Sequence, residues 1–137
     1  MPSQTFLQSS GYVNELVANS AQVAPASTTN YGDVTSIDLT PGTWDISGLL
    51  TLEANGATVT SANFGIGTAT GNSAAGLLVG QNMTYIAPPS SSSIAGGAIS
   101  PYTVVITTNT TYYLKLRVAY TVAVPVVYGR IAARRII

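Results

Sequence analysis

Few side chains in this sequence could carry out catalysis. The chain has no histidine and no cysteine, which excludes thiol nucleophiles, disulfides, zinc–thiolate sites and a histidine base. Asp33 and Asp38 are conceivable as the carboxyl pair of a glycosidase, but nothing in the sequence places them together. A turn aspartate and a solvated strand aspartate are the favoured interpretation. The many serines lack a general base to activate them, so we predict no enzyme.

Ligand-binding motifs are equally weak. The five carboxylates are scattered along the chain and form no recognisable run of calcium ligands. The spaced glycines of GIGTATG lack the strand-to-helix context of a phosphate-binding loop. We therefore expect no metal and no cofactor.

The charged residues are few and unevenly distributed. They make up 7% of the chain, against about 25% in typical soluble domains. Residues 1–114 hold all five acidic residues, and residues 115–137 hold all five basic ones. The basic segment alternates with Val, Tyr and Ile, so we expect it to be folded and not to bind nucleic acid. No apolar run approaches the ~18 residues of a membrane span, so no membrane partner is expected.

The elements that would position these residues are short strands. In TWDISGLLTLE (43–53), apolar and polar residues alternate, which predicts one buried and one solvated face. Asn55-Gly56 then predicts a hairpin. Residues 87–100 indicate a loop with at most one short edge strand. YTVVITT is expected to pair across TNTT with YYLKLRVAYTV, whose inner row would run from Tyr112 to Val122.

The last strand is predicted in VVYGRIAARRI, after Pro125. Its alternation places Tyr128, Arg130, Ala132 and Arg134 on one face, unless Gly129 marks a bulge.

Together these patterns predict an all-β, antiparallel jelly-roll sandwich of about eight strands, preceded by a short N-terminal arm. We expect the arm to span residues 1–28 and the jelly roll to span residues 29–137. GYVNELVANSAQV fits either a short helix or a strand, and nothing resembles a secretory signal. The low charge favours an oligomer that hides surface over a neutral Ser/Thr surface.

Two segments resemble a known family. LTPGTWDISG (39–48) resembles the Leu-x-Pro-Gly-x-Trp-Asp-Val-Ser-Gly opening of domains in tailed-bacteriophage virion proteins. YGRIAARRI (128–136) is similar to their Tyr-Gly-x-Ile-x-Ala-Arg-Arg ending. The resemblance covers about residues 30–137. It implies a jelly roll like the tumour-necrosis-factor and C1q heads, usually a homotrimer, with a structural or adhesive role in head decoration, head fibres or tail fibres.

The terminal arginines have two possible roles. On an exposed edge they would prevent edge-to-edge aggregation. At a subunit interface, which we favour, they would pair with carboxylates of Asp38, Asp45 or Glu53, because the planar guanidinium binds carboxylates bidentately. The predicted oligomer-interface residues are Tyr128, Arg130, Arg134, Arg135, Tyr112 and Asp45. Trp44 is predicted to be a core anchor.

We expect a capsid decoration or cement protein, made in the host cytoplasm and bound as an oligomer to the outside of the phage head. Phe6, Leu7 and Tyr12 would anchor the arm to the major capsid protein or to a neighbouring subunit. Only about thirty residues precede the domain, whereas fibre tips normally follow a long shaft. The alternative is a tail-fibre or tail-tip domain that recognises a host glycan or surface protein through loops ATGNSAAG and APPSSSSIAGG.

Overall fold

All regular structure in the described part of the chain is β-strand. The computed structural model describes residues 14–26 and 30–137. The strands are β1 (Leu16–Val23), β2 (Gly32–Leu39), β3 (Gly42–Glu53), β4 (Thr58–Gly67), β5 (Met83–Ile86), β6 (Ile94–Ile106), β7 (Thr110–Thr121) and β8 (Val126–Arg135). No helix long and apolar enough to span a membrane occurs in these ranges. The predicted all-β antiparallel fold is confirmed.

The strands form two four-stranded sheets packed as a sandwich. The first sheet has the order β1-β8-β3-β6 and the second has the order β2-β7-β4-β5. Every strand pair in both sheets is antiparallel. Apart from β4 and β5, strands that follow each other in sequence lie in opposite sheets. This order is that of a jelly roll.

The core lies between the sheets and follows the alternation along each strand. Trp44, Ile46, Leu50 and Leu52 of β3 are completely buried. In β7 the inner row consists of Leu114, Leu116 and Val118, with half-buried tyrosines at both ends. The predicted row extended to Val122, but the strand ends at Thr121, and Val122 is 86% exposed with a φ of 80°.

Neither predicted hairpin forms. Asn55 and Gly56 have the positive φ angles expected of this dipeptide, 51° and 88°. They connect β3 to β4, however, and these strands lie in opposite sheets. Residues 107–109 likewise connect β6 to β7 across the sandwich. The reason is that β3 already pairs with β6 and β8 on its two edges, and β7 with β2 and β4.

Half of the segment predicted as a Pro/Ser/Gly loop with a short edge strand, residues 94–100, belongs to a long strand. β6 is the longest strand of the chain at 13 residues, and it forms the edge of the first sheet. The pairing shifts by one residue, because Ile46 lies opposite Tyr102 while Gly48 lies opposite Ile99. Pro101 falls within this bulge, where a missing N–H donor disrupts no ladder bond.

Part of the expected N-terminal arm belongs to the sandwich. Residues 16–23 form β1, which pairs with β8 in continuous register from Leu16↔Arg134 to Val23↔Val127. The choice between helix and strand for this segment is therefore settled in favour of a strand.

The second sheet is covered on its outer side by the β4–β5 connection. Lys115 points outward from β7 yet is fully buried, because this connection folds over it. Its ammonium donates to Asp33 Oδ1 (2.5 Å) and to the carbonyls of Ala69 (2.7 Å) and Gly71 (2.9 Å). Asp33 also accepts hydrogen bonds from Thr70 Oγ1 and Gly71 N. This ion pair holds the connection against the sheet.

Replacing Lys115 by Met should destabilise the protein by about 3 kcal/mol. Without the lysine, the Asp33 carboxylate and the carbonyls of Ala69 and Gly71 lack their hydrogen-bond donor. The cost in stability lies near the lower limit for breaking a buried ion pair, because Asp33 is 24% exposed. The free energy of unfolding from urea titration measures the effect. Arg134→Met, which removes an exposed cation, is the control and should change it by under about 0.5 kcal/mol.

The same ion pair should make stability depend on pH. Desolvation raises the pKa of Asp33, but the hydrogen bonds from Lys115, Gly71 and Thr70 outweigh it and hold the pKa below its ordinary value of 3.8. A lowered folded-state pKa contributes stability above pH 4 that is lost as the pH falls further. Urea midpoints measured between pH 6 and pH 2 should fall less steeply in Asp33→Asn. Equal slopes for both proteins would contradict this assignment.

Candidate functional site

The outer face of the first sheet gathers most of the predicted interface residues. β8 pairs with β3 so that Arg134 lies opposite Asp45, Arg130 opposite Leu49, and Tyr128 opposite Thr51. Tyr128, Arg130 and Arg134 are exposed. The register passes through Gly129 without a bulge, as the alternation required. Gly129 instead faces the core, where a Cβ would lie 2.6 Å from Val34 Cγ1.

The charges of this face are largely unpaired within the chain. Arg130 forms no ion pair or hydrogen bond with the described residues. The Asp45 carboxylate accepts from Thr103 Oγ1 (2.7 Å) instead of pairing with Arg134. Arg134 donates only a long bond, 3.4 Å, to the carbonyl of Asn14. With Glu53 further along β3, the face carries two carboxylates and two guanidinium groups.

Between these charges the surface is flat and partly apolar. Small side chains, Ala18, Ser47 and Ala132, occupy neighbouring positions on three strands. Leu16 and Leu49 are 52% and 54% exposed. Shallow grooves of about 410 Å³ and about 310 Å³ lie on either side of Arg130. Such a surface offers shape and charge for a protein contact.

Arg135 does not belong to this exposed surface, contrary to the expectation from the sequence. The alternation along β8 places Arg135 on the inner face of the strand, and the residue is 4% exposed. The guanidinium lies over the Trp44 ring, 4.5 Å from the centroid. It donates to Thr40 Oγ1 (2.6 Å), the Pro41 carbonyl (2.8 Å) and Glu15 Oε1 (3.3 Å). The arginine is thus a buried structural group.

The two segments that resemble phage virion domains meet at this point. Trp44 pairs with Arg135 and Gly48 pairs with Ile131, so 42–48 and 131–135 are adjacent antiparallel strands. Trp44 is completely buried and donates its indole N–H to the Thr40 carbonyl (2.9 Å). The Pro, Gly and Trp of one segment and the second Arg of the other therefore form one packed unit.

The remaining predicted residues lie elsewhere. Tyr112 packs against the core between the sheets, where burial raises the pKa of its hydroxyl. It is not on the outer face of the first sheet. Phe6, Leu7 and Tyr12 lie outside the described residues.

The two aspartates considered for glycoside chemistry belong to separate hydrogen-bond sets. Asp33 is paired with Lys115, and Asp38 accepts from Thr111 Oγ1 (2.6 Å). Their partners are four residues apart on β7, a separation of about 13 Å, which is wider than a glycosidase pair requires. Within residues 14–26 and 30–137, no three potential metal ligands cluster.

A polar cluster on the outer face of the second sheet was not predicted. Asn63 is 1% exposed and donates to the Tyr31 hydroxyl and, at 3.7 Å, to Met83 Sδ. Its Oδ1 accepts from Arg117 Nε (3.1 Å), and the Arg117 guanidinium lies 5.5 Å from the Tyr31 ring centroid. The one available signal was the outward alternation of Lys115 and Arg117 in YYLKLRV.

No protein-family model matches the chain, and no curated protein matches it. Function is therefore inferred from the side chains described above and from the two resembling segments.

Arg134 and Arg135 should respond very differently to the same substitution. Arg135→Gln should lower the free energy of unfolding by about 3 kcal/mol, because it leaves buried acceptors unsatisfied and uncovers Trp44. Arg134→Gln should lower it by under about 0.5 kcal/mol. Both variants lose one positive charge, so thermal and urea unfolding isolate the effect of burial. Equal losses would contradict the placement of Arg135 in the interior.

Proposed function

We propose that this protein is a non-enzymatic structural component of a phage virion. In this proposal it is a capsid decoration or cement protein that binds the outside of the head as a homotrimer. The observation that carries the proposal is the packing of Trp44, Thr40 and Pro41 against Arg135. This contact gives the residues shared with virion domains a common structural purpose, which supports the resemblance over a chance match of two short segments.

Self-association is supported by the outer face of the first sheet. The carboxylates of Asp45 and Glu53 lie on β3, while the guanidinium groups of Arg130 and Arg134 lie on β8. A second copy presents the same charges, so each arginine can meet a carboxylate of its neighbour. The flat Ala/Ser surface between them allows close approach, and Leu49 and Tyr128 supply apolar area typical of subunit contacts.

Attachment to the shell is assigned to the N-terminal segment and the major capsid protein. Asn14, the first described residue, donates its N–H to the Arg135 carbonyl and therefore lies beside the end of β8. Binding to the assembled shell and not to free capsid subunits would stabilise the shell by mass action.

Reversing the charge of Arg130 should break the oligomer. Arg130→Glu places a third carboxylate on the contact face, so repulsion should convert a trimer into monomers with the melting temperature of the single chain retained. Light scattering after size-exclusion chromatography measures the mass. The control is Thr121→Glu, which adds a carboxylate at an exposed position of the second sheet. A wild-type protein that is already monomeric would overturn the assembly proposal.

Head attachment is tested by removing residues 2–12, a deletion that spares β1. Full-length protein should co-sediment with phage heads, and the truncated protein should stay in the supernatant while remaining trimeric. A substitution of Phe6 and Leu7 by Ser should act in the same direction.

The second candidate is a receptor-binding domain of a tail fibre or tail tip. The observation that favours it is the partly buried Arg117 of the second sheet, whose terminal nitrogens have no hydrogen-bond partner among the described residues. A trimer that does not bind heads, with or without residues 2–12, would favour this candidate over decoration.

A further inference from the structure

Three residues of the second sheet form a row across adjacent strands on its outer face. Asn63 of β4 pairs with Arg117 of β7 on one side and with Tyr85 of β5 on the other. Neighbouring strands are about 4.8 Å apart, so the side chains of Arg117 and Tyr85 start about 10 Å from each other. Tyr31 lies over the middle of this row, bonded to Asn63.

Arg117 is held in one orientation by these neighbours. Its Nε donates to the buried Asn63 carbonyl oxygen, and its guanidinium stacks near the Tyr31 ring. Asn63 is itself fixed, because its amide group bonds to the Tyr31 hydroxyl and to Met83 Sδ. A guanidinium oriented in this way loses little further entropy when it binds a ligand.

The terminal nitrogens of Arg117 are the part left available. They have no hydrogen-bond partner among the described residues. In the same part of the chain, no buried side-chain nitrogen or oxygen lacks a partner, so these two nitrogens must reach the surface. A guanidinium end with both terminal nitrogens unpaired has the fork of N–H donors that pairs with a planar carboxylate.

The charge around Arg117 is also uncompensated. The nearest cation of β7, Lys115, is neutralised by Asp33. Asp38, the other carboxylate of the second sheet, lies opposite Thr111. That position is six residues from Arg117 along β7, about 20 Å away. Within the described chain, Arg117 therefore has no acidic partner.

We propose that Arg117 is a carboxylate-binding subsite and that its ligand is an acidic sugar of a surface polysaccharide. Tyr85 is 61% exposed at the far end of the row, and its ring can take the apolar face of the adjoining sugar. A spacing of about 10 Å suits two linked residues, one at the carboxylate subsite and one at the ring.

The surroundings favour a sugar acid over a more highly charged ligand. A phosphate group or a polyacidic peptide would need several cations, and the accessible outer face of the second sheet supplies one. One bidentate ion pair with one exposed aromatic ring instead matches a ligand with one charge per residue and extended neutral surface.

Binding can be measured by isothermal titration calorimetry and ligand-observed NMR with trigalacturonic acid. The expected result is weak, millimolar binding that falls at least tenfold when the carboxyl groups are methyl-esterified. Arg117→Gln should weaken binding of trigalacturonic acid by about tenfold or more. Arg117→Lys should weaken it as well, because a lysine retains the charge but lacks the planar pair of N–H donors of a guanidinium. Tyr85→Ala, an exposed position that leaves the fold intact, should weaken binding of the trisaccharide but not of the monosaccharide.

Thr107→Glu is the matched control, since it makes the same change in net charge at an exposed turn between β6 and β7 and should leave binding unchanged. The proposal is overturned if trigalacturonic acid and its methyl ester bind alike, or if neither binds. It is also overturned if Thr107→Glu weakens binding as much as Arg117→Gln, since the interaction would then be non-specific attraction. Tighter binding of a tetraglutamate peptide than of the trisaccharide would replace the sugar by an acidic protein segment.

Discussion

The buried guanidinium of Arg135 is the interaction on which much of the structure depends. Burying a charge is costly unless every donor is satisfied and a counter-charge is present. Here Thr40, Pro41 and Glu15 supply the acceptors, and the Trp44 ring supplies a cation–π contact. One side chain of the last strand thus fixes the turn before β3, the indole in the core and the residue that precedes β1. The first sheet can be assembled only when chain segments about 120 residues apart have come together.

This internal use of charge determines what remains for the surface. All ten charged residues of the chain lie in its described part. Four of them form the ion pairs Lys115–Asp33 and Arg135–Glu15. Three acidic and three basic residues are left. Two of each lie on the outer face of the first sheet, and Asp38 and Arg117 lie on the second. A face with equal numbers of opposite charges can attract another copy of the chain, which is the electrostatic basis for the proposed self-association.

The sequence predicted local features well and long-range ones poorly. Alternation identified the inner row of β3 and the outward Tyr128, Arg130 and Arg134, because one buried face is enough to fix a period of two. The same alternation places Arg135 on the inner face of β8, and its assignment to the interface was wrong because it followed the charge and not the alternation. Asn55-Gly56 adopted its turn but formed no hairpin, because in a jelly roll most consecutive strands cross to opposite sheets. The burial of Lys115 depends on a connection that packs over the sheet, and no local pattern reports such packing.

The proposed contact face on the first sheet and the Arg117 subsite on the second sheet lie on opposite sides of the sandwich. This separation determines whether both can be used at the same time. A trimer built through the first sheet leaves the outer face of the second sheet directed away from the contact. Three copies of Arg117 would then be displayed outward at fixed spacing. A single weak carboxylate subsite gives low affinity by itself. Where a polymeric ligand binds one of three sites on a rigid assembly, its effective concentration at the other two sites rises. If both proposals hold, binding of an acidic polysaccharide and decoration of a head would not compete for surface, and the oligomer that decorates the head would strengthen binding of the polysaccharide.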